Sequence, residues 1–299
     1  MIQELLNKLN ISMLVCSCDL YEDAWYPFFR LIDQNFPEHP QKMYLLTNNK
    51  SYQCDGLDIR CVHSSEGETW TDRVKKALES IEEEFILFSL EDFFIFSKVN
   101  AEDFYGIANM MLQYPKWGGV WFPPLRKGRQ YSTSVDLESA CVITDRLKKG
   151  RTNMGIILYR KSFLSKLLVE REDAWRFESE SNIRSIFAGY EVIHYNNIIS
   201  RPVFWYYQKI IDGVGITSRK WLDKTHEIFE INGIHNVNFS RLGTLSPEEA
   251  YIDPTDKRTH VRVRLTIKDR LYYYVKRPLK STRIVSALRG LLYWYRYYR

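Results

Sequence analysis

Phe85-Ile-Leu-Phe-Ser-Leu-Glu91-Asp92-Phe-Phe94 is the stretch on which the reading of this chain turns. An apolar run of strand length stops on two adjacent carboxylates. Burying a strand that ends in paired acids costs free energy unless the acids meet a cation or hydrogen-bond donors. In an open α/β sheet, ligands bind outside the carboxyl ends of the strands. The pair is therefore a candidate site for a divalent metal and a phosphate-bearing ligand. The plainer alternative is a strand running into a helix, with Asp92 or Glu91 near the helix N-terminus.

Working outward, apolar runs at 11–17, 42–47, 57–62, 119–123, 156–159 and 191–195 read as further strands. Helical spacing runs through Trp25, Phe28, Phe29, Ile32 and Phe36, and Pro37 and Pro40 end it. Helices are also expected over 70–84, where Thr71 or Asp72 is a good cap, and over 101–114, 161–171 and 181–188. The alternation predicts an α/β fold, a mostly parallel central sheet flanked by helices. Residues 124–150, rich in Arg, Lys, Gly and Ser, show no period and read as a long functional loop.

Of the 299 residues 45% are hydrophobic, enough for a real core. The five cysteines are scattered, without zinc spacing, and read as reduced core thiols of a cytoplasmic protein. No apolar run reaches the length of a membrane span, and the N-terminus has neither signal nor transit character. The six histidines are dispersed, and there is no Walker loop, Rossmann glycine fingerprint or nucleophile elbow.

Charge is unevenly spread. Residues 257–299 hold 13 Lys and Arg and one acid, Asp269, while the remainder carries 29 bases and 36 acids. The expected division is a catalytic body over 1–250 and a basic aromatic segment over 251–299. Past Pro278, with Ser281 or Thr282 as cap, Ile284, Leu288, Leu291, Tyr295 and Tyr298 form one helical stripe flanked by Arg283, Arg289, Arg296 and Arg299. That composition suits a helix lying in an anionic membrane interface, with Arg289, Leu291, Trp294 and Arg296 as contacts. The alternative is that the stripe packs on the body or on a second protomer, making a homodimer. A nucleic-acid partner is argued against by the acidic body and by the lack of an RNA-binding signature in the tail.

Four segments carry a resemblance: Val15-Cys-Ser-Cys-Asp19-Leu-Tyr21-Glu-Asp23-Ala-Trp25, Thr69-Trp70-Thr-Asp72-Arg73, Ile86 to Phe94, and Trp175-Arg-Phe177-Glu178. In this order the chain resembles the GT-A class of bacterial glycosyltransferases that build capsule or O-antigen polysaccharides, over roughly 10–235. It departs from the commoner Asp-Asp-Phe-Phe form at Glu91, and has Ala174 where Pro often precedes the Trp.

The resemblance implies a GT-A-like, Rossmann-like body that moves a sugar from a nucleotide-sugar donor to a lipid-linked acceptor. It implies Mn²⁺ or Mg²⁺ at Asp92 and Glu91. Adjacent strand positions point oppositely, so only one of the two is expected to ligate directly; Asp92 is favoured, with Glu91 holding the sugar or a water. Ser17, Asp19 and Tyr21 are expected at the nucleoside, Asp19 accepting from base or ribose and Tyr21 stacking; the alternative is a solvated turn. Asp72 and Arg73 open a helix, and Arg73 suits either the diphosphate or the acid pair. Glu178 is expected as general base of an inverting transfer, walled by Trp175 and Phe177. The protein is then expected at the cytoplasmic face of the cell membrane. Against this stand a non-catalytic α/β scaffold recruited to membranes and a nucleic-acid-binding protein using the tail.

Overall fold

The computed structural model describes residues 9–246 apart from 127, 147, 149, 208–211 and 218. The expected membrane contacts Arg289, Leu291, Trp294 and Arg296 lie outside the described residues.

Strand β1 (Ile11–Cys16) is buried along its whole length. After a 3-10 turn at Asp19–Ala24 come α1 (Trp25–Asn35), β2 (Lys42–Thr47), β3 (Asp58–His63) and α2 (Trp70–Ser80). The acid-terminated run forms β4 (Phe85–Leu90), followed by α3 (Ala101–Gln113) and β5 (Trp117–Phe122). Next are α4 (Leu137–Ala140), β6 (Cys141–Ile143), β7 (Ile156–Arg160), α5 (Lys161–Leu167), α6 (Ala174–Phe187) and β8 (Glu191–Tyr195).

These strands form one sheet in the order β3-β2-β1-β4-β7-β5-β8-β6. It is mostly parallel, as expected, but β7 runs against β4 and β5, and β6 runs against β8. A smaller sheet follows, from β9 (Ile216–Thr217), β10 (Lys220–Leu222) and β11 (Thr244–Leu245), with α7 (Lys224–Ile231) between the last two.

Continuous apolar strands are what a sheet covered on both faces requires. Met13, Val15, Phe85 and Leu87 face Phe28, Phe29 and Ile32 of α1 and Phe104, Ile107 and Met111 of α3. Leu14, Ile86, Phe88 and Tyr159 face Val74, Ala77 and Leu78 of α2, Phe163 and Leu167 of α5, and Phe177 of α6. The five cysteines are free thiols. No helix among the described residues is long and apolar enough to cross a membrane.

Several expectations needed correction. The cap of α2 is Thr69 rather than Thr71 or Asp72, and α2 and α5 end at Ser80 and Leu167, short of 84 and 171. Residues 124–150 are not all loop. Asp136 caps α4 by accepting from the Ser139 N–H, and β6 follows at once as the sheet's outer strand. The helix expected over 181–188 starts a full two turns earlier, because the Asp173 carboxylate accepts from the Arg176 N–H (2.7 Å) and nucleates α6 there. Glu178 therefore sits inside a helix rather than ahead of one.

Candidate functional site

Cys16 and Leu90, the last residues of β1 and β4, are register partners on adjacent parallel strands. The chain therefore leaves the sheet side by side as Ser17-Cys18-Asp19 and as Glu91-Asp92. From β1 the order runs outward to β2 and β3, whereas β4 lies on its other side. That reversal makes the β1–β4 junction a topological switch point, where the diverging loops open a crevice. Both acids border it, and both are buried, Glu91 to 6% and Asp92 to 4% exposure. Asp92 Oδ2 accepts the Ile216 N–H (3.1 Å), which ties the acid to the start of β9. Phe94 fastens the same turn to the small sheet, stacking on Trp221 and meeting Phe229 edge-on.

Beneath the crevice lies Arg73, buried at the first turn of α2. Its Nη2 donates to the Ser17 carbonyl (2.6 Å) and the Thr47 carbonyl (3.3 Å), at the carboxyl ends of β1 and β2. Its Nε is buried with no hydrogen-bond partner among the described residues. Burial pushes the Cys16 thiol well above its ordinary range; Arg73 draws it back and Glu91 pushes it further. Cys18 is raised too, by burial first and then by Glu91. Arg73 and Glu91 thus act on the same two thiols at the end of β1.

The remaining expected donor-side residues are partly committed to the scaffold. Ser17 Oγ accepts from Trp25 Nε1 (2.7 Å). Asp19 accepts the N–H groups of Asn48 (2.7 Å), Asn49 (2.9 Å) and Lys50 (3.2 Å), clamping the loops after β1 and β2 together. Burial works to raise its carboxyl, but these donors win and hold it below the usual range. Tyr21 is half-buried against the core beside them. Asp72 closes the N-terminus of α2, accepting from the Thr69 hydroxyl (2.6 Å), the Thr69 N–H (3.1 Å) and the Arg171 N–H (3.2 Å). Its carboxyl is lowered, the donors outweighing its partial burial.

Glu178 occupies the second turn of α6, half-buried. Trp175, one turn before it and 59% exposed, is its neighbour on the helix surface. Phe177 instead turns into the core against Trp70, with ring centroids 5.0 Å apart. The expected wall around Glu178 is thus one exposed indole, with Phe177 on a different side. Burial raises the Tyr159 phenol, and the charges of Glu178 and then Cys16 raise it further. Its hydroxyl is buried with no hydrogen-bond partner among the described residues.

Several polar residues went unread in the sequence. Thr47 Oγ1 and Ser51 Oγ contact the two ring nitrogens of His63 (2.9 and 3.3 Å), and Asn48 Nδ2 donates to Ser64 Oγ (3.1 Å). They extend the polar rim along the carboxyl ends of β2 and β3. Only the position of each after an apolar run could have flagged them.

No protein-family model and no curated protein sequence matches the chain. Among solved structures it is similar to TarS from S. aureus, at 12% identity and a TM-score of 0.45, covering 87% of this chain and 46% of that one. The chain thus spans less than half of that protein's length. The 1–349 form of TarS in complex with UDP gives 13% identity and a TM-score of 0.46, over 89% and 78% of the two chains. Glucosyl-3-phosphoglycerate synthase from Mycobacterium tuberculosis, in complex with Mg²⁺ and UDP, gives 10% identity and a TM-score of 0.46, over 79% and 85%.

Proposed function

We propose that the chain is a nucleotide-sugar-dependent glycosyltransferase. In this reading it moves a sugar, from a UDP-sugar in the first instance, onto a lipid-linked saccharide during bacterial surface-polysaccharide assembly. The observation that carries the reading is the buried Glu91-Asp92 pair beside Ser17 at the β1–β4 switch point. Of the four segments that resemble GT-A enzymes, two leave the sheet at that switch point, Arg73 donates to the Ser17 carbonyl there, and Trp175–Glu178 lies on α6.

The acids suit a hard divalent cation, Mg²⁺ or Mn²⁺. Among the described residues no three His, Cys, Asp or Glu side chains form a metal site of their own. Such ions are commonly held by one or two carboxylates plus substrate phosphates, which is what this pair can offer. Asp92 remains the proposed direct ligand: an oxygen that accepts one N–H keeps a second lone pair. A bound cation would offset charge on the diphosphate leaving group.

The chain's own residues supply the rest. The nucleoside lies over the loop that Asp19 clamps, between Tyr21 and the polar rim at Asn48. Asp72 fixes the start of α2, and Arg73 supports the crevice from below and offers its Nε to diphosphate oxygen. Glu178 takes the proton of the acceptor hydroxyl as that oxygen bonds to the anomeric carbon. The bond from that carbon to the diphosphate oxygen breaks, and its electron pair leaves with the nucleotide. Attack opposite the leaving group inverts the anomeric centre. Trp175 offers its exposed face to an acceptor sugar ring. The basic segment 251–299 would bring this body to an anionic membrane.

Titration of UDP-sugars into the protein with and without Mn²⁺ tests the reading. Asp92→Asn should abolish turnover while melting like the wild type, because the amide oxygen can still accept the Ile216 N–H. Turnover at the wild-type level in that variant removes the metal-site claim. Absence of metal-dependent binding across UDP-, GDP- and CMP-sugars removes the function.

A further inference from the structure

Among the described residues ten large hydrophobic side chains are exposed, and five of them belong to one place: Val135, Val142, Ile143, Ile198 and Ile199. Each is between 39% and 56% exposed. They lie on two segments that run alongside each other. Ser132 N–H donates to the Asn197 carbonyl (3.1 Å), Arg201 N–H to the Ser134 carbonyl (2.8 Å), and Asn196 N–H to the Ala140 carbonyl (2.9 Å). Further along, Val142 pairs with His194 and Ile143 with Ile193. The aliphatic groups therefore cluster along β6, the outermost strand of the large sheet, and at the loop after β8. Scattered exposed aliphatics are normal on a soluble protein, but a contiguous set marks an interaction surface.

The charge around it selects the partner. Residues 124–151 carry seven Lys and Arg against three Asp and Glu, whereas the rest of 1–256 carries 22 bases against 33 acids. The segment that holds three of the five aliphatics is thus net basic within an acidic body. Among the described residues Arg126, Arg129, Arg146 and Lys148 are exposed in this segment, against Asp136, Glu138 and Asp145, while Arg151 is buried. A second copy docking through the same face would set these cations against themselves, since a two-fold interface pairs a patch with its own image. An anionic lipid surface meets both needs, taking the aliphatic side chains into the acyl boundary and the cations among the headgroups.

We propose that this edge of the catalytic body, where β6 exposes aliphatic side chains on both sides of the sheet, is a second lipid-contacting surface, separate in sequence from the basic C-terminal segment. Asn197 Nδ2 donates to the Pro123 carbonyl just past β5, so the patch begins at the same sheet edge as the crevice. Lipid contact there would bring the carboxyl edge of the sheet, onto which the crevice opens, toward the bilayer. The inference draws its purpose from the proposed lipid-linked acceptor, but its test uses no nucleotide sugar, so either can fail alone.

Hydrogen exchange of the full chain, with and without vesicles, reads the surface directly. With phosphatidylcholine–phosphatidylglycerol vesicles, amides in 132–144 and 194–201 should gain protection, and with phosphatidylcholine alone they should not. The exposed double variant Ile143→Glu/Ile198→Glu, checked by its thermal melt, should bind the anionic vesicles about tenfold or more weakly. Unchanged exchange in those segments while vesicles bind, or unchanged affinity of the variant, overturns the proposal. A two-copy mass with those amides already protected in the absence of lipid also overturns it, and assigns the face to self-association.

Discussion

Arg184→Met tests how the helix bearing Glu178 is held. Arg184 meets Glu172 through two parallel contacts of 2.7 Å, with side chains only 8% and 4% exposed. Removing the guanidinium leaves the Glu172 carboxylate inside the protein. Among the described residues the one other cation in reach is Arg176, partly exposed, whose buried Nε stands 3.7 Å away. Breaking a buried pair from one side costs about 3–5 kcal/mol. Arg176 can swing in, so the lower end, about 3 kcal/mol, is expected. In a body of this size each kcal/mol moves the melting temperature by about 2–4 °C, giving a fall of roughly 6–12 °C. The functional effect follows from the backbone. Thr71 N–H and Oγ1 donate to the Glu172 carbonyl, and the Glu172 N–H donates back to Thr71 Oγ1. The start of α6 is thereby pinned to the start of α2, two residues from Arg73. Loosening the pin should lower turnover more than donor affinity, because the proposed donor site lies on the β1 and β4 side. Thermal unfolding by circular dichroism and a turnover assay beside UDP titration read both effects. The double variant Glu172→Leu/Arg184→Met, which leaves no buried charge, should recover most of the lost stability. A single variant melting within about 2 °C of the wild type refutes the reasoning, since the pair would then behave like a solvent-screened one.

His194, packed on Trp121 with ring centroids 4.7 Å apart, is pushed down to about 4, by burial first and then by Lys148. The unfolded chain takes up that proton near the ordinary histidine value while the folded one does not. Stability should therefore be full above about pH 6.5 and fall as the pH drops toward 4, and His194→Gln should flatten that part of a pH–melting profile. Gly118→Ala places a Cβ 2.5 Å from Phe163 Cγ and 2.8 Å from Tyr190 Cβ, between rigid neighbours on both sides. A loss of about 1–3 kcal/mol in denaturant unfolding is expected, and an unchanged midpoint would show that α5 can retreat from β5.

What could be read from residues alone was whatever depended on near neighbours. Leu14 and Val15, or Ile86 and Leu87, announce strands buried on both faces because nothing polar interrupts them. The end of β4 was equally legible, since an apolar run cannot continue through two carboxylates. Strand direction was not: Ile156–Arg160 reads the same whichever way it runs, and its antiparallel course depends on the path of the preceding loop. The start of α6 was hidden for a chemical reason. Asp173 caps it, but Arg176 stands where a capping box would carry Glu or Gln, so half of the usual signal is missing. Asp19 looked like a ligand-facing acid because its three donors come from residues 48–50, some 30 positions away.

The acid pair shows the same division most sharply. In the sequence Glu91 and Asp92 differ by one methylene and one position, and alternation along a strand says only that one of them would ligate. Folded, they differ in attachment. Asp92 is tied to Ile216, 124 residues ahead, and through Phe94 its turn is bound to Trp221 and Phe229. Its carboxylate thus reports the position of the small sheet as well as that of β4. Glu91 acts instead on Cys16 and Cys18, on the β1 side of the crevice. A pair built this way joins two parts of the body at one point: ligation by Asp92 draws on the small sheet, and ligation by Glu91 draws on the β1 loop. Ile216→Pro, which deletes the N–H while keeping a bulky apolar ring, separates the two. If Asp92 is the ligand that matters, metal-dependent donor binding weakens in that variant although no side chain in the crevice has changed. If binding is untouched, Glu91 is carrying the cation and the preference for Asp92 fails.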